Sequence, residues 1–353
     1  MSGETVEQNP TLRPLGWSDA AKSLAGLVLV VLLIAFGMPR ILRTSWSEIG
    51  AQLARVEPGH AVAMAGLLLA GLFCYTWVLR GSLPGISHLQ ALKINAVASL
   101  VSNMMPLGAA VGAALSFVML RSWGFGSRAI SSSMLVTALW NLLARIALPV
   151  VGCLILVAGP VDVPDIVVRA ALIAGAVGTA LIVVVALMIF SDTVAAGVVR
   201  VVETTAGWVG RGHRLRRVDH LVTDQRRRVE TLVRHGGVTM TLGMTGMFVL
   251  LFGLYWSAAR AVGLDLPVAE LIAAYTFRQL LTALAVTPGG LGVTEVGTAG
   301  LLVLFGGSPG AASATALLYA LYAHLVVVPF GVAALAAWRV GMHQRAGAAG
   351  TGG

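Results

Sequence analysis

The positions of apolar and polar residues divide this chain into stretches close to the ~20 residues that a helix needs to cross the hydrocarbon of a bilayer. Predominantly apolar runs extend from about Ala21 to Met38, Ala61 to Leu79, Ala129 to Val157, Ile166 to Phe190, Val238 to Ala261 and Ala311 to Trp338. Each is expected to be a membrane-spanning helix, with Pro149 and Pro329 as kinks inside two of them. Ala35 and Gly37 could mimic a signal-peptide cleavage site, but the first run is long for one and further spans follow, so an uncleaved span is expected.

Two other apolar stretches are interrupted. The segment His88–Leu120 carries Asn95, Ser102, Asn103, Pro106, Gly108 and Gly112, and the stretch from Leu264 runs into TPGGLGVTE, Thr287 to Glu295. Proline removes a backbone donor and clashes with the preceding turn, and glycine lets the chain bend, so both segments should break in the middle. Broken backbone is tolerated in a bilayer only where protein or water satisfies its polar groups, which makes each break a candidate site.

Polar segments frame the apolar ones. Residues 1–20 are expected to be a disordered tail, 21–340 one membrane domain, and 341–353 a flexible Gly/Ala tail. Between Ser191 and His235 lies a basic segment with nine arginines. From Leu215 to Leu232 its apolar residues fall near helical spacing, which suits either an amphipathic helix on an anionic leaflet or a solvated loop that sets topology.

Composition agrees with a polytopic membrane protein of all-α class. Apolar residues make up 57% of the 353 and charged residues 11%, against about 25% charged in a soluble domain. The net charge of +9 comes from arginine, with Lys22 and Lys93 the only lysines. In a membrane protein such charge reports orientation and anionic headgroups before nucleic acid. Cys74 and Cys153 both lie in apolar runs and imply neither a disulfide framework nor a metal site. There is no nucleotide-binding loop, no cofactor signature and no cluster with metal-ligand spacing.

The two interrupted segments form a weak internal repeat. Pro106, Gly108 and Gly112 correspond to Pro288, Gly289, Gly290 and Gly292; glycine turns follow at Gly124 and Gly126 and at Gly306 and Gly307; then come Pro149 and Pro329. The first prolines are offset by 182 residues and the second by 180. Charges sort best if each broken segment is a re-entrant hairpin, with both termini and the nine-arginine segment cytoplasmic and Asp162, Asp165 and Asp265 outside. Six full spans and two hairpins entering from opposite faces are then expected, which is an inverted repeat.

Charges within a bilayer are costly, so Arg145, Glu270, Arg278 and Glu295 are functional candidates. Thr137, Asn141 and Arg145 recur at one-turn spacing and share a helix face that suits a lipid phosphate. The structural alternative is that Arg145 pairs with Glu295 to hold the repeats together, a pair that could also act as a gate. Arg278 and Glu270 are expected near the interface in structural roles, Arg278 with a possible part in coupling. His324 is either a protonation switch or a satisfied core residue. Helices starting after Pro106 and Pro288 would aim free N–H groups at an anion, although their glycines equally suit close helix packing.

The PxG segment followed by LRSWGFGSRAISSSMLVTALWN, together with TPGGLGVTEVGTAGLLVLFG and the closing ALLYALY and VVVPFG, resembles the lysylphosphatidylglycerol synthase transmembrane region family. The resemblance covers most of residues 20–340 and implies a bacterial inner-membrane, flippase-like protein. Two departures stand out: Ala320 where the family often has arginine, and Ala109 to Ala114 where many members carry charge. No aminoacyl-transfer domain follows residue 340, so synthesis of an aminoacyl lipid is not expected.

The reading that follows is a lipid translocase, not an enzyme, for an anionic or aminoacylated phospholipid or a polyprenyl-phosphate-linked lipid. Asn103, Pro106, Gly108, Thr137, Asn141, Arg145, Pro288, Gly289, Gly290, Gly292 and Glu295 form the substrate site, with Glu295, Arg278 and His324 in gating or coupling. Its partners are membrane lipids. The alternatives are a membrane-embedded transferase using Glu295 and His324, and a regulator that binds a membrane protein partner.

Overall fold

The computed structural model describes residues 17–104, 108–158, 165–191, 219–283, 287 and 290–350, and every regular element among them is helical. Helices satisfy their own backbone groups, which is what an apolar chain in hydrocarbon requires. They are α1 (Trp17–Leu32), α2 (Met38–Leu42), α3 (Trp46–Leu53), α4 (Pro58–Ser82), α5 (His88–Met104), α6 (Gly108–Ser122), α7 (Ser127–Ala158), α8 (Asp165–Phe190), α9 (Asp219–Ala261), α10 (Val268–Ala283), α11 (Val293–Leu304), α12 (Pro309–Ala320) and α13 (Val327–Gly350). Five stretches are long and apolar enough to cross a membrane: Leu24–Leu42, Pro58–Ser82, Ser127–Ala158, Val229–Ala261 and Pro309–Met342. The sixth expected span corresponds to α8, a single 26-residue helix. Apolar side chains such as Val62, Leu154, Val238 and Leu242 cover the outside, as a lipid-facing surface requires.

Helix boundaries depart from the expectation at both ends. Helix α1 begins at Trp17, inside the expected tail, while residues 1–16 lie outside the described residues. Helix α13 continues to Gly350 through the expected Gly/Ala tail, because alanine supports helix at the spacing found there. The basic segment is also reshaped. Residues 192–218 are outside the described residues, but from Asp219 the chain is one 43-residue helix with the following span, so this part is not a separate surface helix.

Pro39 and Pro329 each follow a widened turn. A π-helical turn, Leu33–Gly37, precedes Pro39, and another, Leu321–Val326, precedes Pro329. Pro39 cannot donate to the Ala35 carbonyl, and the Trp46 indole N–H does so instead at 3.0 Å. The chain then reverses at Arg43 (φ 52°) and α3 is capped by Ser45 and Glu48 in a reciprocal capping box.

The repeat is visible in the packing. Helices α4 to α7 recur as α9 to α13, in each case a long helix, two short helices flanking a break, and a long proline-containing helical segment. The two opening helices, α4 and α9, pack along their length. Gly81 lies against Gly236, Gly243 against Cys74 and Trp77, and Gly253 against Leu67, so they run antiparallel. Equivalent helices of opposite direction are what an inverted repeat requires. The remaining contacts are reciprocal: α7 packs on α10, and α13 packs on α5. A Cβ on Gly152 of α7 would collide with Thr276 Oγ1 of α10, and one on Gly331 would meet the Ala96 carbonyl of α5 at 2.7 Å. Gly152 and Gly331 are 179 residues apart, and Ala96 and Thr276 are 180 apart.

Candidate functional site

The TPGGLGVTE stretch forms the entry to α11. Gly290 (φ 75°) and Gly292 (φ 84°) take left-handed conformations that side chains resist, and Gly290 N–H closes a turn on the Thr287 carbonyl at 3.0 Å. Three residues on, Glu295 turns back: its Oε2 accepts the Gly292 N–H at 2.5 Å. Its Oε1 accepts from the Thr294 hydroxyl at 2.8 Å and from Arg278 Nη2 at 3.4 Å. Glu295 therefore occupies the positive end of α11, where an external anion was expected to bind. Pro106, Pro288 and Gly289 lie outside the described residues.

The partner of Glu295 is thus Arg278 and not Arg145. Arg278 is buried, 4% exposed. Helical spacing explains this, since Tyr275, Arg278 and Thr282 share the face of α10 turned to the interior. The guanidinium lies 4.5 Å from the centroid of the Tyr319 ring, which packs with Tyr255 and Tyr275. This aromatic cage was not anticipated, although Tyr319 lies in the ALLYALY segment. Glu270 is two turns away on α10, with a buried Oε2 that has no hydrogen-bond partner among the described residues.

Arg145 lies on the other side of the same centre. Its Nη1 donates to Thr282 Oγ1 of α10, one turn from Arg278, and the two guanidinium charges are near enough to repel. Thr137, Asn141 and Arg145 do share a face of α7, but the first two serve structure. Thr137 Oγ1 donates to Ser82 Oγ at 3.0 Å, and Asn141 Nδ2 donates to the Tyr75 hydroxyl at 2.9 Å. Only Arg145 of the three keeps spare donors. It is half-buried, and the ion pairs among the described residues are Arg234–Glu230, Arg260–Asp265 and Arg278–Glu295, so no carboxylate there neutralises it.

The repeat holds a second contact that corresponds to the first. His324 Nδ1 lies 3.1 Å from Asn103 Oδ1, and Asn103 Nδ2 donates to the His324 carbonyl at 3.4 Å. Arg145 and His324 are 179 residues apart, and so are Asn103 and Thr282. Each closing helix therefore offers a basic side chain to the polar end of the other repeat's first short helix. Gly108 starts α6 against the Val101 carbonyl, too close for any Cβ, which makes it a packing residue.

A family model described as the lysylphosphatidylglycerol synthase TM region matches residues 23–331. No curated protein matches the chain. The matched residues include the first repeat, the second as far as the start of α13, and every side chain of the charged centre. This multi-pass, all-α membrane protein belongs to the lysylphosphatidylglycerol synthase transmembrane-region family.

Proposed function

We propose that the chain is a lipid translocase of the bacterial inner membrane that carries a phosphate-bearing headgroup between leaflets through its charged centre. The observation that carries this reading is Arg145, a half-buried guanidinium with no carboxylate paired to it among the described residues, next to a second arginine that has one. An uncompensated charge in an apolar bundle is expensive, and an incoming anion removes the cost. The guanidinium fork matches phosphate oxygens.

Helix lengths support re-entrant hairpins. The short helices α5, α6, α10 and α11 have 17, 15, 16 and 12 residues. At ~1.5 Å per residue they reach about 18 to 26 Å, short of the ~30 Å of hydrocarbon. Their tips would then stop inside the bilayer, beside Arg145 and Asn103. Loosening Arg145–Thr282 opens one side and loosening His324–Asn103 opens the other, so rocking of the repeats alternates access while acyl chains remain in lipid. Glu295 serves as an internal anion that holds Arg278 until a headgroup arrives. For the transferase alternative, Glu295 and Nδ1 of His324 are already held in hydrogen bonds, while the unpartnered carboxylate of Glu270 lies two turns along α10 from Arg278.

Proteoliposomes containing the purified chain and fluorescent phosphatidylglycerol test the reading. Wild type should move the lipid across the bilayer, and Arg145→Gln should slow it by about 10- to 100-fold, the value of a charge-assisted contact of roughly 1.5–3 kcal/mol. Absence of movement by wild type for every phosphate-bearing lipid tried rejects it.

A further inference from the structure

The charge inventory of the centre narrows the headgroup. Among the described residues, two guanidinium groups, Arg145 and Arg278, meet one carboxylate, Glu295, so these three side chains leave a single positive charge. Glu295 is already engaged by the Gly292 N–H and by Arg278 Nη2, and the Thr294 hydroxyl divides its one hydrogen between Glu295 Oε1 and the Gly290 carbonyl. Glu270 lies about 12 Å along α10 from Arg278, eight residues at ~1.5 Å each.

We infer that the site selects a lipid headgroup carrying one net negative charge, a phosphodiester, over a diphosphate and over a phosphodiester esterified with a cationic amino acid. This rests on the reading that Arg145 holds the headgroup. One phosphodiester neutralises the centre. A diphosphate brings surplus negative charge into an apolar surround, where unpaired charge is costly. An added ammonium needs a carboxylate or an aromatic face. The carboxylate is occupied, and the Tyr319 face is covered by Arg278. Repulsion from Arg278 adds to the cost.

Binding of short-chain lipids to the full chain in detergent at pH 8, where an ordinary imidazole is neutral, tests the inference. The probes are dioctanoyl phosphatidylglycerol, its lysyl ester, a short prenyl diphosphate, and glycerophosphoglycerol, which has the same phosphodiester without acyl chains. Phosphatidylglycerol should bind at least about tenfold more tightly than the lysyl ester and the diphosphate, a gap of ~1.4 kcal/mol. Glycerophosphoglycerol should bind more weakly still, and equal affinity for it would overturn the assignment to a lipid.

Charge variants then separate matching from simple loss. Glu295→Gln raises the centre by one positive charge and should move preference toward the diphosphate. If that variant does not fold, the double variant Arg278→Gln/Glu295→Gln restores the single charge without a buried unpaired group and should keep the wild-type order. Wild type that binds the lysyl ester or the diphosphate as tightly as phosphatidylglycerol, or binds none of them, overturns the inference. So does a double variant with a changed order. Binding in the expected order without transbilayer movement would instead reject the translocase reading and leave the charge match standing.

Discussion

Arg278 and Arg145 reach the same turn of α10, but their surroundings give them different work. Arg278 is enclosed by Glu295 and Tyr319, both nearly inaccessible to solvent. Removing either member of a buried pair strands the other charge, which costs about 3–5 kcal/mol. Arg278→Gln and Glu295→Gln should therefore each lower the unfolding midpoint in detergent strongly, while the double substitution should lower it less than either. Additive losses in that cycle would show that the two side chains do not depend on one another. Arg145→Gln should leave the midpoint unchanged or raise it, because it removes an uncompensated charge and Thr282, its hydrogen-bond partner among the described residues, keeps the Gln279 carbonyl to donate to.

At the scale of elements, close approach between helices is set by glycine. An alanine at Gly152 would meet the Thr276 hydroxyl, which can rotate away, whereas one at Gly331 would meet the Ala96 carbonyl and Leu100 Cβ at 2.7 and 2.5 Å. Overpacking costs typically ~1–3 kcal/mol, and Gly331→Ala should fall at the high end with Gly152→Ala below it, measured by thermal unfolding. Helix α3 offers a milder test outside the spans. Hydrogen bonds from Thr44 and Ser45 hold the Glu48 carboxyl below the ordinary carboxylate range. Its folded value is thus lower than its unfolded one, so the contribution is present above the unfolded value and lost as pH falls through the folded one. Wild type should be more stable than Glu48→Gln near neutrality, and the difference should vanish in acid. Ser45→Ala should cost about 1 kcal/mol by removing the other half of the capping box.

Across the whole molecule, the two reciprocal contacts occupy corresponding places in the two repeats, 179 residues apart. If they are alternating gates, fixing either should stop transport. Cysteine pairs at Asn103 and His324, or at Arg145 and Thr282, with Cys74 and Cys153 replaced, allow each contact to be bridged by a bifunctional thiol reagent. Bridging through a cleavable linker should arrest lipid movement, and reduction should restore it for the first pair. Undiminished movement in the bridged protein would remove the gate role from that contact.

Much of this architecture was legible in the chain itself. Six apolar runs, two broken segments and their offset of about 180 residues follow from the length of a helix that crosses hydrocarbon and from the backbone limits of proline and glycine. The face shared by Thr137, Asn141 and Arg145 follows from helical periodicity. Pairing does not. Periodicity says which residues share a face of one helix, but not which face of another helix lies opposite, so Glu295 was assigned to Arg145 and found on Arg278. The same limit hid the Asn103–His324 contact, whose members are 221 residues apart, and the aromatic cage built from α9, α10 and α12. The sequence by itself determined the helices, their breaks and the presence of charge in the membrane; only the packing of one repeat against the other decided which arginine was neutralised and which remained available, because that depends on distances across helices that no local rule contains.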